Sequence, residues 1–256
     1  MRQVSDFFGG EPLPKEVQKI TSSEWEKLFA EWVLEKENAK RESRPLRWDA
    51  PLNPEQRTAV AAVLPALVEM AIGRDTGEEH VVYAKRAVER HGPQAVLLHG
   101  PAGTGKSVVL HTLSRIMREH GLGAMLATAF TGVAAAPLPG KSPGLGAPTL
   151  CTLLGMEGSV EEGTAKMNNK QKGLDPKRIK AFEHWAGPRS ELSAVFVDEV
   201  SFVSPSFMHH IDLQLQALMG CKEPFGGLVL VVGGDFCERQ SQLPEHTYNF
   251  LLRRAT

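Results

Sequence analysis

The hydrophobic and polar positions of the chain alternate between two patterns. Short apolar runs that end in a polar residue or a glycine predict buried strands, at residues 95–98, 124–128, 194–197 and 228–232. Longer stretches with apolar positions at helical spacing lie between these runs. Strands that alternate with helices predict an α/β fold, with a parallel sheet, helices on both of its faces and ligands at the carboxyl ends of the strands.

Residues 1–49 read as an N-terminal extension that carries one amphipathic helix. Residues 1–21 combine Gly, Pro and scattered charge and predict a loose leader. Ser23 and Glu26 have the spacing of a capping box. Apolar positions then recur with the helical period, at Trp25, Leu28, Phe29, Trp32 and Val33. We expect the tryptophans to pack on the main domain; contact with a base or a partner is the alternative.

A second helical stretch precedes the first strand. It begins at Pro54, and Pro65 inside it is expected to kink or split the helix. A more charged helix over residues 78–90 then leads into the strand.

The stretch from Ala95 to Leu113 has the order strand, glycine-rich loop, helix, and it fits G-x-x-x-x-G-K-[ST]. In this motif, glycines let successive N–H groups converge on a phosphate, and the next helix adds its positive N-terminal end. Lys106 is expected to reach the β- and γ-phosphates, and the Ser107 hydroxyl to bind Mg²⁺. The predicted nucleotide-binding residues are Gly100, Pro101, Ala102, Gly103, Thr104, Gly105, Lys106, Ser107 and Val108.

Two adjacent carboxylates complete this predicted site. Asp198 and Glu199 follow the apolar run at residues 194–197. Asp198 is expected to hold Mg²⁺, and Glu199 to orient and deprotonate the attacking water. A glutamate in this place favours nucleoside triphosphate hydrolysis over phosphorylation of a small molecule. Asp235 follows another apolar run, so it is either a further group at the phosphates or a turn residue.

Composition narrows the class of protein. With 256 residues, 42% hydrophobic and 23% charged, the chain has the make-up of a soluble globular protein. Its net charge of −1 gives no global attraction to nucleic acid, so such a site has to be a local patch. The three cysteines suggest a reducing, intracellular compartment. The sequence contains no membrane-spanning run, so no membrane partner is expected.

Several further stretches agree with one family. They are LNPEQ at 52–56, ATAFTGVAA at 127–135, TLCTLLGM at 149–156, VDEVSFVS at 197–204 and GDFCERQSQLP at 234–244. Together, in this order around the P-loop, they resemble the first RecA-like motor domain of Pif-one-like DNA helicases. That superfamily-one group also contains RecD-like and Helitron-type helicases. The resemblance covers about residues 50–245.

The resemblance implies ATP and Mg²⁺ as cofactors and single-stranded DNA or DNA junctions as partners. It assigns Gln56 to the adenine edge and Gln242 to sensing the γ-phosphate, with Gln240 as the alternative. It further implies Thr131, Gly132 and Thr149 as DNA contacts. The family suggests a nucleus or a mitochondrion as the compartment, which the sequence does not resolve.

The sequence departs from the family pattern in several places. Cys151 stands where the family usually has His, and about four extra residues precede the QLP of the last motif. Family members continue into a second RecA-like domain with an arginine finger, which we match nowhere before Thr256. A second domain, in cis or in trans, is therefore an expected partner, and slow hydrolysis is expected of this chain alone.

The expected main domain spans residues 50–256. Residues 157–190 correspond to the small wedge region of the family, and the basic stretch at 166–180 is either a DNA contact or a solvated loop. Two other functions remain open. One is a nucleotide-dependent DNA-binding module without turnover, and the other is a P-loop phosphotransferase that acts on a small molecule.

Overall fold

The computed structural model describes residues 13–140, 146–154 and 176–235. The helices are α1 (Ser22–Arg41), α2 (Pro54–Asp75), α3 (His80–His91), α4 (Lys106–Glu119), α5 (Gly132–Ala135), α6 (Leu150–Leu154), α7 (Pro176–Ala186) and α8 (Pro205–Met219). The strands are β1 (Ala95–His99), β2 (Ala124–Ala129), β3 (Leu192–Asp198) and β4 (Val229–Gly234). Short 3₁₀ turns lie at Arg189–Glu191, Val200–Phe202 and Pro224–Gly227.

The four strands form one parallel sheet in the order β1-β4-β3-β2. Every residue of β4 is buried, as are the first six residues of β3, so both faces of the sheet are covered. Parallel crossovers are right-handed. The chain moves outward from β1 to β2 and then back through β3 to β4, which puts α4 on one face and α7 and α8 on the other. The predicted α/β fold with helices on both faces is confirmed.

Helix α2 continues through Pro65 without being split. Pro65 lacks the N–H that would bond to the carbonyl of Ala61. Ala61 lies on the exposed side of the helix, where water can donate a hydrogen bond to its carbonyl oxygen. Leu64 and Leu67 are buried on the other side. Burial of this apolar side therefore outweighs the loss of one hydrogen bond.

The predicted capping box of the N-terminal helix is shifted by two residues. Thr21 is the N-cap of α1, and its hydroxyl accepts from the backbone N–H of Glu24, whose carboxylate accepts from the Thr21 N–H at 2.8 Å. The prediction of Ser23 and Glu26 is wrong. Thr21 and Glu24 have the same spacing, and they begin the helix two residues earlier.

The predicted apolar face of α1 is not its buried face. The buried residues of α1 are Glu35 and Ala39, and Glu35 is held by Arg44 at 2.5 and 2.9 Å. Trp25, Phe29 and Trp32 stack on one another along the helix, and Phe29 remains 38% exposed. The two tryptophans are half-buried, so the expected packing of this face on the main domain is incomplete.

Residues 13–18 pack on the main domain, which corrects the prediction of a loose leader for this part of the chain. Val17 belongs to the hydrophobic core. The guanidinium of the buried Arg57 donates to the carbonyl oxygens of Lys15 at 2.5 Å and Gln18 at 2.7 Å. These bonds tie the segment to the first turn of α2.

The predicted helix around Phe182 and Trp185 is present as α7, and Phe182 is buried. Residues 155–175, which hold most of the predicted wedge and basic stretch, lie outside the described residues. In the part of the chain that is described, no helix combines the length and hydrophobicity needed to span a bilayer.

Candidate functional site

The site lies at the carboxyl edge of the sheet, where β1, β4 and β3 end side by side. His99 is in register with Gly234, and the Gly100 N–H donates to the Gly234 carbonyl at 3.3 Å. Asp198 ends β3, one strand farther along the sheet. Parallel strands bring all three ends to the same edge, so the P-loop and the carboxylate pair share one side of the molecule.

The P-loop curls through residues with positive φ. Gly103 has φ +83° and Gly105 has φ +84°, values that side chains rarely adopt. Gly105 caps α4, and its carbonyl accepts from the N–H groups of Val108 and Val109 at 3.0 and 3.3 Å. Loop residues Pro101, Ala102 and Thr104 are exposed. The loop therefore opens to solvent at the positive end of α4, a place suited to an anion.

The Lys106 ammonium lies over this loop. Its Nζ donates to the carbonyl oxygens of Gly100 at 2.6 Å and Pro101 at 3.0 Å. Ser107 follows in the first turn of α4 and is exposed. The first turn of the helix thus presents a cation and a hydroxyl on the side of the loop.

The Asp198 carboxyl feels both burial and the charges around it. Burial holds the pKa of this half-buried carboxyl above its usual value, and the Glu199 carboxylate adds to this effect. The hydrogen bond that Asp198 accepts from the Glu199 N–H at 2.9 Å and the charge of Lys106 oppose it. The P-loop lysine and the carboxylate at the end of β3 therefore lie on the same edge of the sheet, within reach of each other's charge.

Glu199 adopts an unusual backbone conformation and contacts a second loop. Its φ of +55° and ψ of +38° lie in the left-handed region, which is costly for a residue with a side chain. The Thr131 hydroxyl donates to Glu199 Oε2 at 2.7 Å. The residue predicted to position water is therefore bonded to a residue predicted to contact DNA.

The three predicted DNA contacts lie beside the carboxylates. Ala129 pairs with Asp198 on one side and with Thr149 on the other. Thr131 is the N-cap of α5, its hydroxyl accepting from the Ala134 N–H at 3.3 Å, and Gly132 is exposed.

Thr149 precedes the short helix α6, and its hydroxyl accepts from the Thr152 N–H at 3.3 Å. Cys151, the residue in the place of the family's His, is half-buried, and burial raises the pKa of its thiol. Thr131, Gly132 and Thr149 thus belong to neighbouring loops at the carboxyl edge.

Gln56 joins α2 to the P-loop. Its Nε2 donates to the Thr104 carbonyl at 3.1 Å, and its Oε1 accepts from the Asn53 N–H at 2.9 Å as part of a capping box. An amide group has two donor and two acceptor positions. Gln56 Nε2 therefore has a second N–H that can donate, and Oε1 can accept a second hydrogen bond. The helix cap fixes the orientation of both atoms.

Two features of the site are not among the predictions from sequence. The Thr131–Glu199 bond joins residues 68 positions apart, and no local pattern announces it. The Asn53–Gln56 capping box does have a sequence pattern, an Asn followed by a Gln three residues later before an apolar run. Asp235 follows β4 at the same edge, whereas Gln240 and Gln242 lie outside the described residues.

The residues present suit Mg²⁺ as predicted. Mg²⁺ prefers oxygen ligands and is usually held by one or two protein groups together with substrate phosphates. Ser107 and Asp198 supply a hydroxyl and a carboxylate at one edge of the sheet. Among the described residues no group of three or more His, Cys, Asp or Glu is placed to hold a metal ion.

Together, fold and site define a P-loop protein with a parallel sheet. The family described as "AAA domain" matches residues 82–234, more than half of the chain. The chain belongs to this family, and the resemblance to Pif-one-like helicases drawn from its motifs is confirmed.

Named relatives support this assignment. The chain is 33% identical over 145 residues to "ATP-dependent DNA helicase PIF7" of Trypanosoma brucei brucei, covering 57% of this chain and 13% of that protein. It is 33% identical over 143 residues to "ATP-dependent DNA helicase PIF1" of Xenopus laevis, covering 56% of this chain and 19% of that protein. The chain thus matches less than a fifth of the length of these relatives.

A Pif1 helicase structure from Candida albicans is 26% identical, with a TM-score of 0.39 over 61% of this chain and 32% of that one. A structure of two coordinating Pif1 helicases at forked DNA is 20% identical, with a TM-score of 0.45 over 73% of this chain and 34% of that one.

Proposed function

We propose that this chain is an ATP-binding motor domain that binds ATP–Mg²⁺ and single-stranded DNA and couples ATP hydrolysis to movement along the strand. The observation that carries the proposal is that the P-loop after β1 and the Asp198–Glu199 pair after β3 share the carboxyl edge of the sheet, on either side of β4. The relatives named as ATP-dependent DNA helicases support the same function.

Each residue has a role in this proposal. Lys106 leaves the two loop carbonyls to bind the β- and γ-phosphates, whose charge attracts it more strongly. Ser107 and Asp198 hold Mg²⁺, which neutralises charge that develops on the γ-phosphoryl group. Glu199 accepts a hydrogen bond from the attacking water and aligns it. Gln242 is proposed to sense the γ-phosphate.

Gln56 is proposed to read adenine. Its fixed amide retains one donor and one acceptor position, the combination that the adenine edge requires. Thr131, Gly132 and Thr149 are proposed to bind phosphates of a single strand, in a place where β2 and β3 bring their loops next to the nucleotide.

The proposal includes a second RecA-like domain, in cis or in trans. The matched motifs are those of the first motor domain, and an arginine finger is typically worth about 10³–10⁵ in rate. Without such an arginine, ATP binding is expected to be normal and turnover slow. Strand separation is proposed to require both domains.

The deciding experiment measures melting temperature with Mg-ATP. A ligand at 100 times its Kd stabilises a protein by about 2.7 kcal/mol. Lys106→Ala is expected to abolish this shift, whereas Lys85→Ala, which removes an exposed ion pair to Glu89 on α3, retains it. An unchanged melting temperature of the wild type in saturating Mg-ATP would refute the proposal.

Turnover separates the alternatives. ATP hydrolysis with and without single-stranded DNA should show stimulation by DNA. ATP and DNA binding without turnover on long single strands supports the binding module. Stoichiometric phosphate transfer to a small molecule, without an effect of DNA, supports the phosphotransferase.

A further inference from the structure

We infer that Thr131 is a positioning residue that holds Glu199 away from water activation until a DNA phosphate takes its hydroxyl. This inference rests on the proposed function, and it adds a mechanism by which DNA controls hydrolysis. It concerns two residues that the fold brings together, since Thr131 Oγ1 lies 2.7 Å from Glu199 Oε2.

The two loops that carry these residues are packed together. Phe130, next to Thr131, stacks on Phe202 in the 3₁₀ turn that follows Glu199, with ring centroids 5.9 Å apart and planes at 14°. Phe130 also makes an edge contact with Phe207 of α8 at 6.1 Å. These ring contacts join the Thr131 loop to the segment after Glu199.

The hydroxyl of Thr131 has one proton to donate. It donates this proton to Glu199 Oε2, and its oxygen accepts from the Ala134 N–H at 3.3 Å. A phosphate oxygen carries no proton and can only accept. Binding a phosphate through this hydroxyl and holding Glu199 are consequently mutually exclusive.

The loop is accessible to a strand. Gly132 is exposed, an added Cβ there would meet nothing within 4 Å, and Val133 is 88% exposed. A phosphodiester at this place would also repel the Glu199 carboxylate.

Glu199 is poised to move once it is released. A left-handed backbone costs about 1–2 kcal/mol for a residue with a side chain, and Glu199 has this conformation with φ +55°. The Thr131 bond is one of the contacts that hold the side chain in place. When the hydroxyl turns to a phosphate, the Glu199 carboxylate is no longer held toward Thr131 and can turn to the attacking water. No covalent bond changes in this step.

The first test is steady-state ATP turnover with and without oligo(dT). Thr131→Val keeps the shape of the side chain but removes the hydroxyl, and Thr131→Ser keeps the hydroxyl. Thr131→Val is expected to raise DNA-free turnover several-fold and to reduce the stimulation by DNA to nearly nothing. Thr131→Ser is expected to retain the wild-type stimulation ratio.

Loss of the α5 cap needs its own control. Ser204→Ala removes an N-cap bond of the same kind, in which the Ser204 hydroxyl accepts from the Phe207 N–H at 3.2 Å. It is expected to leave DNA-free turnover unchanged. The inference is overturned if Thr131→Val keeps the wild-type stimulation ratio, or if Ser204→Ala reproduces its effect.

A second readout does not depend on turnover. In a double-mutant cycle on oligo(dT) binding by fluorescence anisotropy, Glu199→Ala frees the Thr131 hydroxyl. It should tighten DNA binding on the order of fivefold more in the Thr131 background than in the Thr131→Val background. Equal effects in both backgrounds would refute the coupling while Mg-ATP stabilisation of the wild type still supports the proposed function. Absence of that stabilisation would instead count against the proposed function.

Discussion

Gln56 Nε2 lies 3.1 Å from the carbonyl oxygen of Thr104, so the first turn of α2 is bonded directly to the P-loop. The Asn53–Gln56 capping box fixes the amide from the other side. One side chain therefore caps the start of a helix, braces the loop and keeps a donor and an acceptor available to a base.

Gln56→Ala is expected to weaken Mg-ATP binding and to weaken it more than Mg-GTP binding. The variant removes the bond to Thr104, which affects both nucleotides, and the amide that is proposed to read adenine. Isothermal titration with non-hydrolysable analogues of both nucleotides measures the two effects separately.

Asn53→Ala is the matched control for this variant. It removes the Asn53 side-chain oxygen, which accepts a hydrogen bond from the Gln56 N–H at 2.8 Å. This loss should lower the free energy of unfolding by about 1 kcal/mol, and Gln56→Ala is expected to lower it by a similar amount. Its nucleotide affinities should remain close to those of the wild type. If Gln56→Ala lost ATP and GTP affinity equally, the bond from Gln56 to Thr104 would still explain the loss, but recognition of adenine by Gln56 would be excluded.

Gly105→Ala is expected to destabilise the protein and to abolish nucleotide binding. The φ of +84° costs a side chain about 1–2 kcal/mol, and the added Cβ would lie 2.6 Å from Gln56 Nε2. Denaturation by urea measures the loss of stability.

Gly103→Ala distinguishes the cost of backbone strain at positive φ from the cost of a steric clash with Gln56. Gly103 has nearly the same φ, +83°, but an added Cβ there meets nothing within 4 Å. Its loss of stability should be smaller than that of Gly105→Ala. Adding Gln56→Ala to Gly105→Ala should recover part of the difference, and a strictly additive double variant would contradict the collision.

His80 is expected to make stability depend on pH. Its Nε2 lies 2.8 Å from the Gly226 carbonyl and its Nδ1 lies 3.1 Å from the Tyr83 hydroxyl. Burial lowers the pKa of the ring, the Gly226 carbonyl opposes this, and Arg74 adds to it. The unfolded chain therefore binds a proton more readily than the folded one.

The sign of the effect follows from that difference. The free energy of unfolding should fall as the pH falls from the ordinary histidine pKa of about 6.5 to the lower pKa of the folded state, and the penalty is complete below it. His80→Gln should flatten this part of the stability profile, measured by urea denaturation at a series of pH values. A profile of His80→Gln that parallels the wild type would contradict the assignment.

The strands and the P-loop could be predicted because their signals are local. The four apolar runs each overlap one strand, and the glycines of the P-loop stand where the backbone needs positive φ. The buried face of α1 was harder to predict. Trp25, Phe29 and Trp32 have helical spacing, but this spacing does not show whether another part of the protein packs on them. In the fold the buried positions are Glu35 and Ala39, since Arg44 neutralises the Glu35 carboxylate.

The sequence alone determined the phosphate loop and the carboxylate pair after β3, because each depends on residues close together in the chain. It indicated the parallel sheet through the alternation of apolar runs with helical stretches. The tertiary structure alone decided that Thr131 holds Glu199 and that Gln56 holds the P-loop. Both bonds join side chains from separate elements, and their geometry depends on strand order, on register and on the left-handed turn at Glu199. Those features arise from packing of the whole sheet, which no single stretch of sequence records.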